Sequence, residues 1–216
     1  MGRNLLGLSA EQLRVSLDAL AAAEPAFAAA IARVGHPAPR ISERGYATLL
    51  RTIVGQQVSV ASAAAVWRKM EAILGDPSDP HVVAAAGDET LRTCGLSRQK
   101  SGYARSLADE VTSGRLDLAN LHADDEEAIA QLVRVKGIGR WSAEIYLLFA
   151  EGRTDIWPAG DLAVQIEIGR ILGHEVRPSE KLTRELAEPW RPHRGALAIF
   201  TWHHYGAALG TQAQPV

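Results

Sequence analysis

Two stretches hold residues whose types and spacing could do chemistry. The first is Leu132-Val-Arg-Val-Lys-Gly137-Ile-Gly139-Arg-Trp-Ser-Ala143. An apolar helix face ends near Val135, Gly-Ile-Gly makes a tight turn, and a second helix starts near Arg140. Two glycines would let the turn take up φ > 0 and let another backbone approach closely. The second helix offers free N–H groups and the positive end of its dipole, a ready phosphate site, and Lys136 and Arg140 flank it with cations. The second stretch is Trp157-Pro-Ala-Gly-Asp161-Leu-Ala-Val-Gln165, a carboxylate after a Gly-containing turn. Asp161 lies twenty residues after Trp141, so one helix and a return loop could bring it back beside that phosphate site. The plain role for such an Asp is helix N-cap, and the two roles are compatible. The plain reading of the hairpin is a helix–Gly–helix corner with no ligand.

The elements that must position these residues are helical. Ala is abundant and strand-like alternation is scarce. One helix is expected from Ser9 to about Val34, kinked at Pro25. Others fall at 43–54 and 58–74 with a break near Gly55, at 80–86 and 88–93, and from Ser97 to about Thr112. Residues 124–134 open with four acids, which suit a helix N-terminus. Further helices fit 140–150, 161–172, 179–187 and 194–209. The expected fold is all-α, about ten short helices. The pair around Gly137 and Gly139 then reads as a helix-hairpin-helix, which grips a DNA backbone without reading sequence.

Composition bounds the partners and the chemistry. The 216 residues carry 23 Lys plus Arg against 25 Asp plus Glu, a formal charge of −2, and 47 % are hydrophobic, as in an ordinary globular chain. The near-neutral sum hides a basic stretch, with six basic residues and one acid from Arg33 to Met70, and a local positive face can bind a polyanion. Cys94 is the single cysteine, which excludes an internal disulfide framework and an all-Cys iron–sulfur cluster and suits a reducing compartment. No apolar run is long enough to span a bilayer. The first residues are too short and interrupted for a signal peptide, and Leu6 stands where myristoylation at Gly2 wants Ser or Thr. The seven His show no metal-ligand spacing, and His203 and His204 read as surface or rim residues.

The hairpin, the Pro-Ala-Gly-Asp turn, the upstream Ile53-Val-Gly-Gln56-Gln57-Val-Ser59 and the ending Ala187-Glu-Pro-Trp190-Arg-Pro-His-Arg194-Gly-Ala-Leu-Ala-Ile-Phe-Thr-Trp202 occur in one order. Together they resemble the helix-hairpin-helix (HhH-GPD) DNA glycosylases, and within them the AlkA-like DNA-3-methyladenine glycosylase II branch. The resemblance covers roughly residues 40–205. It implies two helical lobes with a cleft between them, lined by Trp141, Asp161 and Trp202, without the N-terminal sheet domain of larger bacterial members. The expected organisation is one catalytic unit. An N-terminal helix at 1–39 packs with the C-terminal lobe, a central lobe at 40–150 holds the hairpin at about 125–150, and 151–216 carries the catalytic loop and last helices.

The resemblance also implies roles, position by position. The catalytic Asp falls on Asp161. Members that nick the backbone carry a Lys two residues after the Gly-x-Gly. Here that position is Trp141, which cannot form a Schiff base, so a monofunctional enzyme without AP lyase activity is implied. Trp141 and Trp202 correspond to aromatic walls of the base pocket, although core packing is the usual fate of Trp. Gln57 falls at the side chain inserted into the duplex, its plain role being a helix-start hydrogen bond, and Gln56, Lys136, Gly137, Gly139 and Arg140 join it as DNA-binding residues. The carbonyls of Val133, Val135 and Gly137 correspond to a site for sodium or potassium bridging to phosphate, with no cofactor required for the chemistry. Ile145 replaces an aromatic pocket residue, which bears on substrate range. The implied activity is base-excision repair of alkylated DNA. The enzyme flips 3-methyladenine or 7-methylguanine type purines from double-stranded DNA and hydrolyses the N-glycosidic bond. A monomer in the cytoplasm, associated with a bacterial nucleoid, is expected. The alternatives are a glycosylase for deaminated or oxidised bases, a non-catalytic DNA-binding module, and a purely structural helical scaffold.

Overall fold

A computed structural model describes residues 7–210, so Gly2 and Leu6 lie outside the described residues. Among the described residues every regular element is a helix. In chain order they are α1 (Ala10–Ala23), α2 (Pro25–Val34), α3 (Tyr46–Gly55), α4 (Val60–Leu74), α5 (Pro80–Ala85) and α6 (Asp88–Thr93). They continue as α7 (Arg98–Thr112), α8 (Asp125–Val133), α9 (Arg140–Phe149), α10 (Leu162–Ile171), α11 (Glu180–Leu186) and α12 (Arg194–Leu209). A 3-10 turn at Glu188–Trp190 precedes α12. No helix is long and apolar enough to cross a membrane.

Sequence-local capping explains most boundaries. Ser9 forms a capping box with Gln12, and Ser59, Ser97, Asp124 and Ser179 each accept from an N–H in the first turn of the following helix. The single helix expected over 9–34 is two helices. Glu24 is extended, and its side chain accepts from Ala26 N–H. Pro25 therefore starts a new helix at its first position, where a missing N–H costs nothing, instead of kinking an old one.

The chain forms two compact units. One spans Glu43–Tyr146; the other joins the chain up to Ser42 with the chain from Leu147 onward. In the first, α7 packs against α3, α5 and α6, with Leu50, Ile53, Met70, Leu91, Leu107 and Leu132 fully buried. In the second, α12 packs against α1, α2 and α10. Its sequence is apolar or small almost all round, so nearly every residue from Arg194 to Thr201 is buried. The boundary falls inside α9, not at 150/151. Tyr146 Oη accepts from Gly45 N–H (2.9 Å) in the first unit, whereas Phe149 O accepts from Ser42 N–H (2.9 Å) in the second. Residues 40–42 therefore belong with the second unit as well.

Candidate active site

In the second unit an aromatic cluster anchors the loop before α10. Trp190 meets Phe27 edge-on at 5.0 Å and Trp157 at 6.1 Å, and Trp157 Nε1 donates to Thr183 O (3.0 Å). The turn after Trp157 is closed by Asp161 N–H to Pro158 O (2.9 Å) and by the buried Gln165 Nε2 donating to Ala159 O (2.8 Å). Asp161 is thereby delivered as the N-cap of α10.

Its oxygen Oδ1 accepts from Ala163 N–H (2.9 Å), Val164 N–H (3.1 Å) and Trp202 Nε1–H (3.1 Å). The cap and the carboxylate expected to do chemistry are thus the same group. Trp202 is only 2 % exposed, and its ring lies 5.7 Å from Phe149, whose other neighbour is the Arg40 guanidinium at 5.0 Å. The residue expected as an aromatic wall therefore also acts as a donor, and its indole N–H orients Asp161. Trp141 lies in the other unit, partly exposed in the first turn of α9. Ile145 is buried on the same helix.

The hairpin lies wholly in the first unit, between α8 and α9. Gly137 has φ 89°, and a Cβ there would lie 2.2 Å from Tyr103 Cδ2 on α7. Glycine is required at this position on both counts. Gly139 differs from expectation: it has no positive φ, and a Cβ would meet nothing within 4 Å. Its place is exposed, with room for an incoming group. Ile138 is buried between them and its N–H closes the turn on Val135 O (3.0 Å).

Of the two flanking cations, Lys136 is exposed, while Arg140 is paired. The Arg140 guanidinium donates to both oxygens of Glu126 and, through Nε, to the buried Glu144 (2.9 Å). The hydrogen bonds to Glu126 lead in raising its pKa, so its charge is permanent but matched by carboxylates. The sequence names Arg140 as a flanking cation for phosphate but does not show these partners. Two of the three carbonyls named for a monovalent cation each spend one lone pair inside the protein. Val135 O already accepts from Ile138 N–H, and Gly137 O accepts from Gln56 Nε2 (2.8 Å).

Gln57 sits exposed between α3 and α4 at φ 56°, the one non-glycine with positive φ among the described residues. The left-handed region costs an ordinary side chain about 1–2 kcal/mol. The break expected near Gly55 is found there: α3 ends at Gly55, and Gln56 is its C-cap.

Two further side-chain groups escape sequence reasoning. His204 is not at the surface: it is 2 % exposed, paired through Nδ1 with the fully buried Glu167 and through Nε2 with Arg33. His203 hydrogen-bonds Val34 O (2.9 Å). Lys100, on α7, donates to Val54 O (2.7 Å) near the end of α3. A polar residue on the buried face of an otherwise apolar helix is the available signal for Glu167 and His204. No group of His, Cys, Asp and Glu suited to a metal occurs among the described residues.

Comparisons with known proteins agree with this architecture. The chain is 29 % identical over 161 residues to DNA-3-methyladenine glycosylase 1 of Schizosaccharomyces pombe, covering 73 % of this chain and 71 % of that one. It is 24 % identical over 165 residues to YfjP of Bacillus subtilis, covering 73 % of this chain but spanning only 58 % of that protein's length. The crystal structure of a DNA-3-methyladenine glycosidase from Bacillus halodurans superposes with a TM-score of 0.80 at 27 % identity, covering 92 % of this chain and 93 % of that one. Residues 50–192 match the family described as HhH-GPD superfamily base excision DNA repair protein. With about two thirds of its length matched, the chain belongs to the HhH-GPD superfamily of base excision DNA repair proteins.

Proposed function

We propose that this chain is a monofunctional DNA glycosylase that excises alkylated purines of the 3-methyladenine and 7-methylguanine type and leaves an abasic site. The observation that carries the reading is the carboxylate of Asp161, oriented at one oxygen by two helix N–H groups and the Trp202 indole. The related glycosylases act on the same lesion class by name.

The chemistry asks little beyond this. An alkylated purine is cationic or electron-poor, so its glycosidic bond breaks without much acid assistance. The enzyme must extrude the nucleotide and stabilise the oxocarbenium-like sugar as the base departs. A fixed carboxylate does this electrostatically and orients water, and because its geometry is set before reaction no reorganisation is needed. In this reading Lys136 and the N–H groups around Gly139 hold a phosphate, Gln57 fills the space left in the duplex, and Trp141 offers an aromatic face to the cationic base. Trp141 carries no amine, so no Schiff base forms there. Double-stranded DNA is the partner, the chain acts as a monomer, and a bacterial nucleoid is the setting.

The test is release of bases from methylated duplex DNA with chromatographic identification, alongside borohydride trapping. Release of 3-methyladenine or 7-methylguanine without a trapped adduct is the expected result. Release of deaminated or oxidised bases only would shift the substrate class, and a borohydride-stabilised adduct would end the monofunctional assignment.

A further inference from the structure

We infer that Gln56 is a positioning residue that fastens the loop carrying Gln57 to the hairpin turn, so that phosphate grip and duplex insertion are delivered together; this rests on the glycosylase reading above. Gln57 is an exposed glutamine in the left-handed region. The residues before it hold it there. Gln56 Nε2 donates to Gly137 O at 2.8 Å, across 81 residues of sequence. Two residues earlier, Val54 O accepts from Lys100 Nζ at 2.7 Å, and burial lowers the pKa of that ammonium, as expected of a group turned inward onto the end of α3.

Both anchors converge on α7. Lys100 ends α3, and Tyr103, about one turn further along, fills the space where Gly137 has no side chain. The amide of Gln56 closes the arrangement by joining the loop to that same glycine. A duplex held at the hairpin therefore meets Gln57 at a fixed offset, and the ordering of the loop is settled before binding. The sequence places Gln56 on DNA; in the structure its side-chain donor faces the protein's own backbone.

The test compares the full-length chain with Gln56→Leu, which loses the donor, Gln56→Glu, which keeps the shape but turns an acceptor toward the carbonyl, and Gln57→Ala. Three quantities are read: affinity for undamaged duplex, extrusion followed by 2-aminopurine fluorescence, and hydrogen exchange of the amides at 57–59 in the free protein. Gln56→Leu and Gln56→Glu should keep undamaged-duplex affinity within about twofold. They should speed exchange at 57–59 and reduce extrusion about tenfold, the worth of one good hydrogen bond. Gln56→Leu combined with Gln57→Ala should be no worse than Gln57→Ala alone. Weakened affinity for undamaged duplex would make Gln56 a DNA contact, and unchanged exchange would show that the tie does not order the loop; either overturns the proposal. Failure of the native protein to release any alkylated base would instead overturn the glycosylase reading, while the exchange measurement still judges the tie.

Discussion

Replacing Asp161 by Asn separates its two jobs. The N–H groups of Ala163 and Val164 and the indole of Trp202 all donate to Oδ1. An Asn must therefore present its carbonyl oxygen to them and place its NH2 where the second carboxylate oxygen stood. The cap survives, because Asn and Asp cap equally well, and only the charge–dipole share of about 0.3–1 kcal/mol is lost. For a chain of this size that is a fall in Tm of about 1–4 °C. The proposed electrostatic role should not survive, since an amide would replace the negative charge meant for the developing sugar cation. The loss of such an electrostatic group is worth about 3–4 kcal/mol, or roughly two to three powers of ten in rate. Asp161→Ala is the informative companion. It forfeits the cap and leaves the buried Trp202 N–H unsatisfied, adding about 1–3 kcal/mol of destabilisation that Asn avoids. The assay is single-turnover release of 7-methylguanine from duplex DNA, with thermal melts of each protein. Near-native release by Asp161→Asn would refute the electrostatic role, and a melt as low as that of Asp161→Ala would refute the three-donor geometry.

Trp202→Phe keeps an aromatic ring beside Phe149 but removes the donor to Asp161. Single-turnover release should slow about tenfold while affinity for abasic DNA holds, as expected for one lost hydrogen bond at the reacting carboxylate. The two hairpin glycines should part company. Gly137→Ala collides with Tyr103 at a left-handed backbone position and should lower both Tm and DNA affinity, whereas Gly139→Ala meets open space and should leave Tm unchanged while weakening DNA binding. The Glu188 carboxyl is held below the usual carboxylate range, first by hydrogen bonding from Arg191. A depressed carboxyl adds stability above its unfolded pKa and loses it as pH falls through the folded value. Melts of Glu188→Gln should therefore lie below the native protein at neutral pH and merge with it on the acid side of the carboxylate range.

Features set by near neighbours in sequence are legible without the structure. Asp161 follows a Gly-containing turn and precedes an apolar run, and Gly137 sits between a helix end and a buried Ile; each is determined within a few residues. The features that sequence reasoning misses mostly involve partners far along the chain. The Arg140 pairing with Glu126 spans 14 residues, and the Trp202 hydrogen bond to Asp161 spans 41. His204 reads as a surface residue because adjacent residues point to different sides of a helix, an argument that fails where α12 is covered almost all round. The break near Gly55 is legible because glycine ends helices, but the hydrogen bond from Gln56 to Gly137 O spans 81 residues and is not.

The buried pair of Glu167 and His204 sets a rule for how this chain tolerates sequence change. Glu167 is fully enclosed and answers to His204, Arg170 (2.6 Å) and, through the imidazole, Arg33 on another helix. Exchange of His204 alone for an apolar residue removes one of the two groups that meet the buried carboxylate, a change that costs about 3–5 kcal/mol when a buried pair is broken, yet a matched apolar replacement of both is close to neutral. Neither single change is a workable halfway point between the two states. Diversification of α10 and α12, the helices that carry Asp161 and Trp202, therefore has to move these two positions in one step, and a library built from independent single substitutions will record both as immutable.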